Sequence, residues 1–191
     1  MNGKSSEHLH WKELGSRELA DCHIFRVLSS LREDPRGTRA ERYIIEAPDW
    51  VTAVPVVKKE GRDFCLMVKQ YRHGSRSVTW EFPAGTVDPG EEPKAAMTRE
   101  LLEETGGRAA RLTLLGQVNP NSAFMTNTQY IYCAEDIEFT GTQDLDEHEE
   151  IEFFLLPLEE VRERMGKKPL DNGTMMTALG FFLRWQEEVS S

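Results

Sequence analysis

The sequence predicts an α/β sandwich built on a mixed sheet, and three observations carry that expectation. Short β-rich runs recur between residues 22 and 157, separated by turns rich in Gly, Pro and Asp. One strongly patterned helix, Glu92–Thr105, interrupts the series, and two further helices close the chain. Strands with helices available for both sheet faces define a layered α/β arrangement.

In chain order, "CHIFRVLSSLRE" and "ERYIIEA" are strands split by the turn "DPRGT". "WVTAVPVV" and "DFCLMVKQYR" follow as two strands joined by the polar "KKEGR", a hairpin and a plausible sheet centre. "VTWEFPAGTVDPGEE" is a strand that breaks into a Gly/Pro loop. In the helix that comes next, Pro93 suits the first turn and Gly106 the C-terminal stop. "LTLLGQV" and "TQYIYCAED" are strands flanking the loop "NPNSAFMTN", and the acidic "DLDEHEE" precedes the strand "IEFFLLP". The closing helices are "LEEVRERM" and "GTMMTALGFFLRWQEEV". In the latter, Met175, Ala178, Leu179 and Phe182 form a stripe suited to core packing.

At 191 residues the chain suffices for one sizeable domain, or for one domain with a small appendage. A net charge of −10 argues against a general binder of nucleic-acid backbone, which needs an excess of Lys and Arg on one face. Phosphorylated small molecules stay open, because a bound divalent metal inverts the local sign. Cys22, Cys65 and Cys133 are widely spaced and contain no C-x-x-C pair, so neither a disulfide framework nor a thiolate zinc site is expected. The first ten residues lack the apolar core of a signal peptide, and no apolar run approaches membrane-spanning length. A cytoplasmic location and no membrane partner are the resulting expectations.

The chemistry concentrates in "WEFPAGTVDPGEEPKAAMTRELLEETGG", residues 80 to 107. At about 100° per residue, Glu100, Glu103 and Glu104 span roughly a third of the helix circumference. Leu101, Thr98, Leu102 and Ala95 occupy the adjoining arc and are expected to face the core. Arg99 stands four residues before Glu103 and can brace its carboxylate. Three clustered carboxylates resist ionisation unless a cation lies between them, and hard oxygen donors suit Mg²⁺ or Mn²⁺. The small residues Ala84 and Gly85 allow backbone to approach a ligand closely.

Gly85, Glu91 and the run Arg99-Glu100-Leu101-x-Glu103-Glu104-x-Gly106 together resemble the signature of the Nudix hydrolases. One position departs: the signature ends in an aliphatic residue, and Gly107 stands there, which puts the packing at the helix end in question. "VKQYR", "WEFPAG", "RAERYIIEAPDWVTAVPVV" and the acidic loop before "IEFFLLPLEEV" look like the branch acting on ADP-ribose and nucleoside diphosphate sugars. This wider likeness runs from about Phe25 to Trp185.

The resemblance implies an α/β/α sandwich with a mixed sheet and an N-terminal antiparallel strand extension. It implies a strand segment at residues 1–50, pairing two chains as a homodimer, ahead of a hydrolase domain at 51–191. The implied metal donors are the Ala84 carbonyl, Glu100, Glu103 and Glu104, with Mg²⁺ the expected ion and Mn²⁺ a substitute. Glu103 also counts among the catalytic residues, and the general base falls to Glu147 or Glu149, with Glu147 favoured; His148 between them reads as an exposed loop residue. Arg72 and Glu81 are the substrate-binding candidates. Gly85, Glu91, Arg99 and Gly106 are structural within the motif, and Trp50 and Trp80 are expected at the core or the dimer contact.

The implied reaction is metal-dependent cleavage of a nucleoside diphosphate sugar to nucleoside monophosphate and sugar phosphate. Pro120 lies in "NPNSAFMTN", without the glycine-bearing turn of enzymes devoted to ADP-ribose, so a broader substrate range is expected. The alternatives are a coenzyme A or dinucleoside polyphosphate hydrolase, and, from another class, a non-catalytic sensor of ADP-ribose-like ligands. A sensor tends to lose box carboxylates or gain a helix-turn-helix module; this chain keeps the former and has no segment long enough for the latter.

Overall fold

A computed structural model describes residues 6–145 and 150–189. The chain divides into two compact units, one comprising residues up to Pro48 with Asn119–Asn127, the other comprising Asp49–Val118 and the chain from Thr128 onward.

The first unit is an antiparallel meander of β1 (Lys12–Asp21), β2 (Arg26–Glu33) and β3 (Arg39–Glu46). Every residue of β1 is exposed, so no apolar alternation marks it in the sequence. Pairing with β2 and cross-strand polar contacts define it instead: Glu13 accepts from Arg32 at 2.9 Å and from Ser30 Oγ at 2.8 Å. The strand expected to start at Cys22 starts at Arg26, because Cys22–Phe25 is a turn with His23 at φ +64°. The 119–127 loop belongs here because Ile45 donates to the Phe124 carbonyl (2.7 Å) and accepts from the Thr126 amide (3.1 Å).

The second unit is a seven-stranded mixed sheet. Its main path runs β10 (Glu152–Pro157), β5 (Arg62–Arg72), β4 (Trp50–Lys59), β9 (Gln129–Phe139), β8 (Gly107–Val118), with β6 (Ser77–Glu81) on β5 and β7 (Ala84–Thr86) on β4. Among the described residues of this sheet only β4 and β9 pair in parallel. The β4–β5 hairpin turns on Glu60 and Gly61, both with positive φ, the conformation that matches strand twist.

Strand alternation sends side chains to two cores. Val54, Cys65, Met67, Ile131, Cys133 and Leu156 pack with α2 (Leu158–Arg164) and α3 (Gly173–Val189), where Met175, Ala178, Leu179 and Phe182 are buried. Val51, Ala53, Leu66, Tyr132 and Ala134 pack on the other side with Ala96, Met97 and Leu101 of α1 (Pro93–Thr105). The expected α/β/α sandwich is therefore present. Burial pushes the Cys65 and Cys133 thiols up to about 12, which leaves them inert. Among the described residues no helix is long and apolar enough to cross a membrane.

Candidate active site

The site forms where β6 ends, β7 pairs with β4, and α1 returns across them. Pro93 opens α1 in its first turn, and Gly106 ends it at φ +67°, donating to the Leu102 carbonyl at 2.7 Å. The helix's last carbonyls find partners in the loop after β9. The Asp144 amide donates to Glu103 (3.0 Å), the Gln143 side chain to Glu104 (2.6 Å), and the Thr140 amide to Gly106 (3.0 Å).

The core face of α1 is not quite the expected one. Ala96, Met97 and Leu101 are buried, together with Glu104 and Thr105, whereas Ala95 is exposed and Thr98 and Leu102 are half-buried. The reason is that positions 97, 101 and 104/105 form the stripe that meets the sheet. Glu104 is consequently no solvated surface charge: it is 4% exposed, and its Oε2 accepts the Ala84 amide at 3.1 Å.

Arg99 organises the acidic face. Its Nη1 donates to Glu100 (2.8 Å) and Glu103 (3.0 Å), its Nε and Nη2 grip both oxygens of Glu91 (3.2 and 3.0 Å), and Nη2 also reaches the Thr86 carbonyl at 3.0 Å. The Glu91 contact is the main cause of a raised Arg99 pKa, and in return Arg99 holds the Glu91 carboxyl below its usual range. Glu91 also accepts the Asp88 amide at 3.2 Å, so one guanidinium joins loop, strand and helix.

Gly85 is the cradle for Glu100. A Cβ built there lies 2.0 Å from the Glu100 carboxyl carbon and 2.1 and 2.3 Å from its oxygens. The donor set suits a hard divalent cation: Glu100, Glu103 and Glu104 crowd one helix face beside Ala84 and Gly85. Among the described residues, no three acidic, histidine or cysteine side chains already converge as a ligand group, and Arg99 holds Glu100 and Glu103 instead.

A cleft of about 310 Å³ adjoins this face, lined by Ala84, Gly85 and Thr86 of β7, Trp50 and Thr52 of β4, and Arg72 and Asn172. Arg72 makes two parallel bonds to Glu81, Nε to Oε1 at 3.0 Å and Nη2 to Oε2 at 2.7 Å. Glu81 is 3% exposed; burial pushes its pKa up, but Arg72, Thr79 and Asn172 outweigh that and bring it below the usual range. Trp50 lines the cleft, while Trp80, half-buried, packs edge-on against Phe154 at 5.0 Å on the border of the α2–α3 core. Asn172 and Thr174 also line the cleft and carry no motif that sequence could reveal. Glu147, His148 and Glu149 lie outside the described residues.

Gly107 is explained by packing. It opens β8 directly after Gly106, and its amide donates to Thr105 Oγ1 at 3.1 Å. A Cβ there meets Thr105 Oγ1 at 2.9 Å and Ile137 Cγ2 at 3.1 Å, so Ile137 and its neighbour Phe139 already fill the space of a side chain.

A sheet between α1 on one side and α2 and α3 on the other, with an Arg-braced carboxylate helix beside a glycine turn, defines a class. The chain belongs to the NUDIX-domain family, whose model matches residues 47–177, and is a pyrophosphohydrolase of that kind. It is 34% identical over 155 residues to an ADP-ribose pyrophosphatase of Bacillus subtilis (strain 168), covering 78% of this chain and 82% of the relative. It is 29% identical over 156 residues to a CMP-5'-(N-acetyl-N-hydroxy-3-aminopropyl)phosphonate hydrolase of Streptomyces rubellomurinus (strain ATCC 31215), covering 81% and 73%. A crystal structure of an ADP compounds hydrolase superposes with a TM-score of 0.81 at 25% identity, over 93% of this chain and 95% of that one.

Proposed function

We propose that this protein hydrolyses the diphosphate of nucleoside diphosphate sugars, ADP-ribose among them, to a nucleoside monophosphate and a sugar phosphate. The observation that carries the reading is the meeting of the Glu100–Glu103–Glu104 face with the Arg72-lined cleft at Ala84–Gly85. The relatives named for ADP-ribose and ADP compounds support the substrate class, and the one named for a CMP conjugate supports a range wider than adenine.

Glu100, Glu103, Glu104 and the Ala84 carbonyl are the proposed donors for Mg²⁺, with Mn²⁺ as a substitute. Such an ion, when bound, neutralises diphosphate oxygens and acidifies a coordinated water. Arg99 holds Glu100 and Glu103 in place. Arg72, fixed by the buried Glu81, presents a guanidinium to phosphate. Glu147, or next to it Glu149, is the proposed general base for the attacking water. The β1–β3 unit is the proposed contact between two copies in a homodimer.

The test is a substrate panel of ADP-ribose, other nucleoside diphosphate sugars, coenzyme A and dinucleoside polyphosphates, each with Mg²⁺, Mn²⁺ or EDTA. Cleavage of the sugars with either metal and not with EDTA is expected. Failure to split any of them would overturn the reading. Glu104→Gln is expected to lose about a hundredfold or more in turnover.

A further inference from the structure

Strand β4 brings a buried hydroxyl to the cleft. Val51 and Ala53 pack with α1, so Thr52 between them points to the opposite side of the sheet, where it lines the cleft together with Thr174 of α3. Thr52 is 3% exposed, and its partner Gln129 of β9 is 1% exposed. Gln129 Nε2 donates to Thr52 Oγ1 at 3.0 Å and to the Thr174 carbonyl at 3.3 Å. A carbonyl only accepts, so the group facing it is the NH₂, and the orientation of the amide follows. Thr52 Oγ1 is therefore an acceptor from Gln129, and its single proton must point elsewhere. Among the described residues nothing accepts that proton. Native structures rarely leave a buried donor without an acceptor, and the open direction here is the cleft.

From this arrangement we infer that Thr52 is a substrate-binding residue: its hydroxyl, kept a donor by Gln129, gives its proton to an oxygen of the substrate diphosphate. The inference rests on the proposed diphosphate chemistry of the cleft. Strand register selects the diphosphate within the substrate, because Thr52 stands directly opposite Ala84 in the β4–β7 pair, and Ala84 is a proposed metal donor. Residues paired in this way have Cα atoms about 4.5–5.5 Å apart. The chemistry matches as well. Non-bridging diphosphate oxygens only accept, while the Arg72 guanidinium and a threonine hydroxyl already accepting from Gln129 both offer protons.

The test compares Thr52→Val, which keeps the shape and loses the proton, with Thr52→Ser, which keeps the proton. Binding is read by titration calorimetry with the α,β-methylene analogue of ADP-ribose and Mg²⁺, and KM is measured for each nucleoside diphosphate sugar that the wild type splits. Thr52→Val is expected to raise Kd for the analogue about tenfold or more, the size of one hydrogen bond to a charged oxygen. Thr52→Ser should stay within about threefold of wild type, since the donor is retained. The diphosphate is common to every substrate, so KM should rise by about the same factor for all of them.

A second variant separates binding from packing. Thr52→Val leaves the buried Gln129 amide short of an acceptor and so costs stability. The double variant Thr52→Val/Gln129→Met removes both partners and should recover stability in urea unfolding without recovering affinity for the analogue. It carries the same comparison if Thr52→Val folds poorly. An affinity that returns with stability, a Thr52→Val Kd within about twofold of wild type, a KM effect confined to one sugar, or no binding of the analogue by the wild type overturns the inference. If the wild type binds the analogue through Thr52 yet splits no nucleoside diphosphate sugar, the proposed function falls and the binding role stands. If the wild type is active and Thr52→Val changes neither constant, the role of Thr52 alone falls.

Discussion

Gly85→Ala separates the chemistry of the site from its stability. The added methyl would sit 2.0 Å from the Glu100 carboxyl carbon, whereas ordinary carbon–carbon contact needs about 3.5 Å or more. Glu100 must therefore retreat by about 1.5 Å. The group that moves is the far end of a flexible side chain, so the folding penalty is one altered rotamer, about 1 kcal/mol. Gly85 lies in β7 paired with Val51 and does not have positive φ, so Ala brings no backbone strain and gains about 0.5 kcal/mol in strand entropy. The two nearly cancel, which leaves the loss of the partly exposed Glu100–Arg99 pair, about 1 kcal/mol, and a fall of about 2–4 °C in melting temperature. The same shift pulls Glu100 off its 2.8 Å bond to Arg99 and out of the donor set. A misplacement of about 1 Å is worth about a hundredfold in rate. The assay pairs a thermal melt with kcat measured across a Mg²⁺ titration. Wild-type kcat at wild-type Mg²⁺ dependence would refute the placement of Glu100 among the metal donors.

The other expectations concern the helix end and the buried ion pair. Gly106→Ala meets both a φ of +67° and the Gly141 carbonyl oxygen at 2.6 Å, so a loss of about 2 kcal/mol in urea unfolding is expected. Gly107→Val should cost about 1–3 kcal/mol alone through overpacking. Combined with Ile137→Ala, it should cost less than the sum of the two single changes, a coupling that a double-mutant cycle measures. Glu81 has a pKa below its usual 4.5, so its stabilising effect is complete above that value and is lost as pH falls through the lowered one. Glu81→Gln should therefore flatten acid unfolding below about pH 4.5, read by circular dichroism, as well as lower stability at neutral pH.

How far each element shows in the sequence depends on what holds it. The limits of α1 were legible because Pro93 and Gly106 act locally, through a fixed φ and a left-handed stop. The carboxylate face was legible because helical spacing alone places Glu100, Glu103 and Glu104 together. Which arc of α1 enters the core was not, since contact with β4 and β8 decides that Ala96 goes in and Ala95 stays out. Strand β1 left no trace, being wholly exposed and defined by its partner strand. Trp50, expected at the core or a dimer contact, lines the cleft, because composition cannot tell a buried ring from one beside a cavity. Asn172 had no signal at all: its place depends on a helix cap and a cleft meeting in three dimensions. Gly107 broke the motif's rule because Ile137, thirty residues on, supplies the missing bulk.

The inclusion of Asn119–Asn127 in the N-terminal unit bears on the order in which the chain can assemble. β1, β2 and β3 leave the ribosome first, yet Ile45 finds its partners only at Phe124 and Thr126. At about 5–20 residues per second, those partners follow several seconds later. During that interval the Ile45 amide and carbonyl on the β3 edge lack these partners and are open to any other extended segment. A fragment ending at Pro48 would leave those two Ile45 groups without partners permanently.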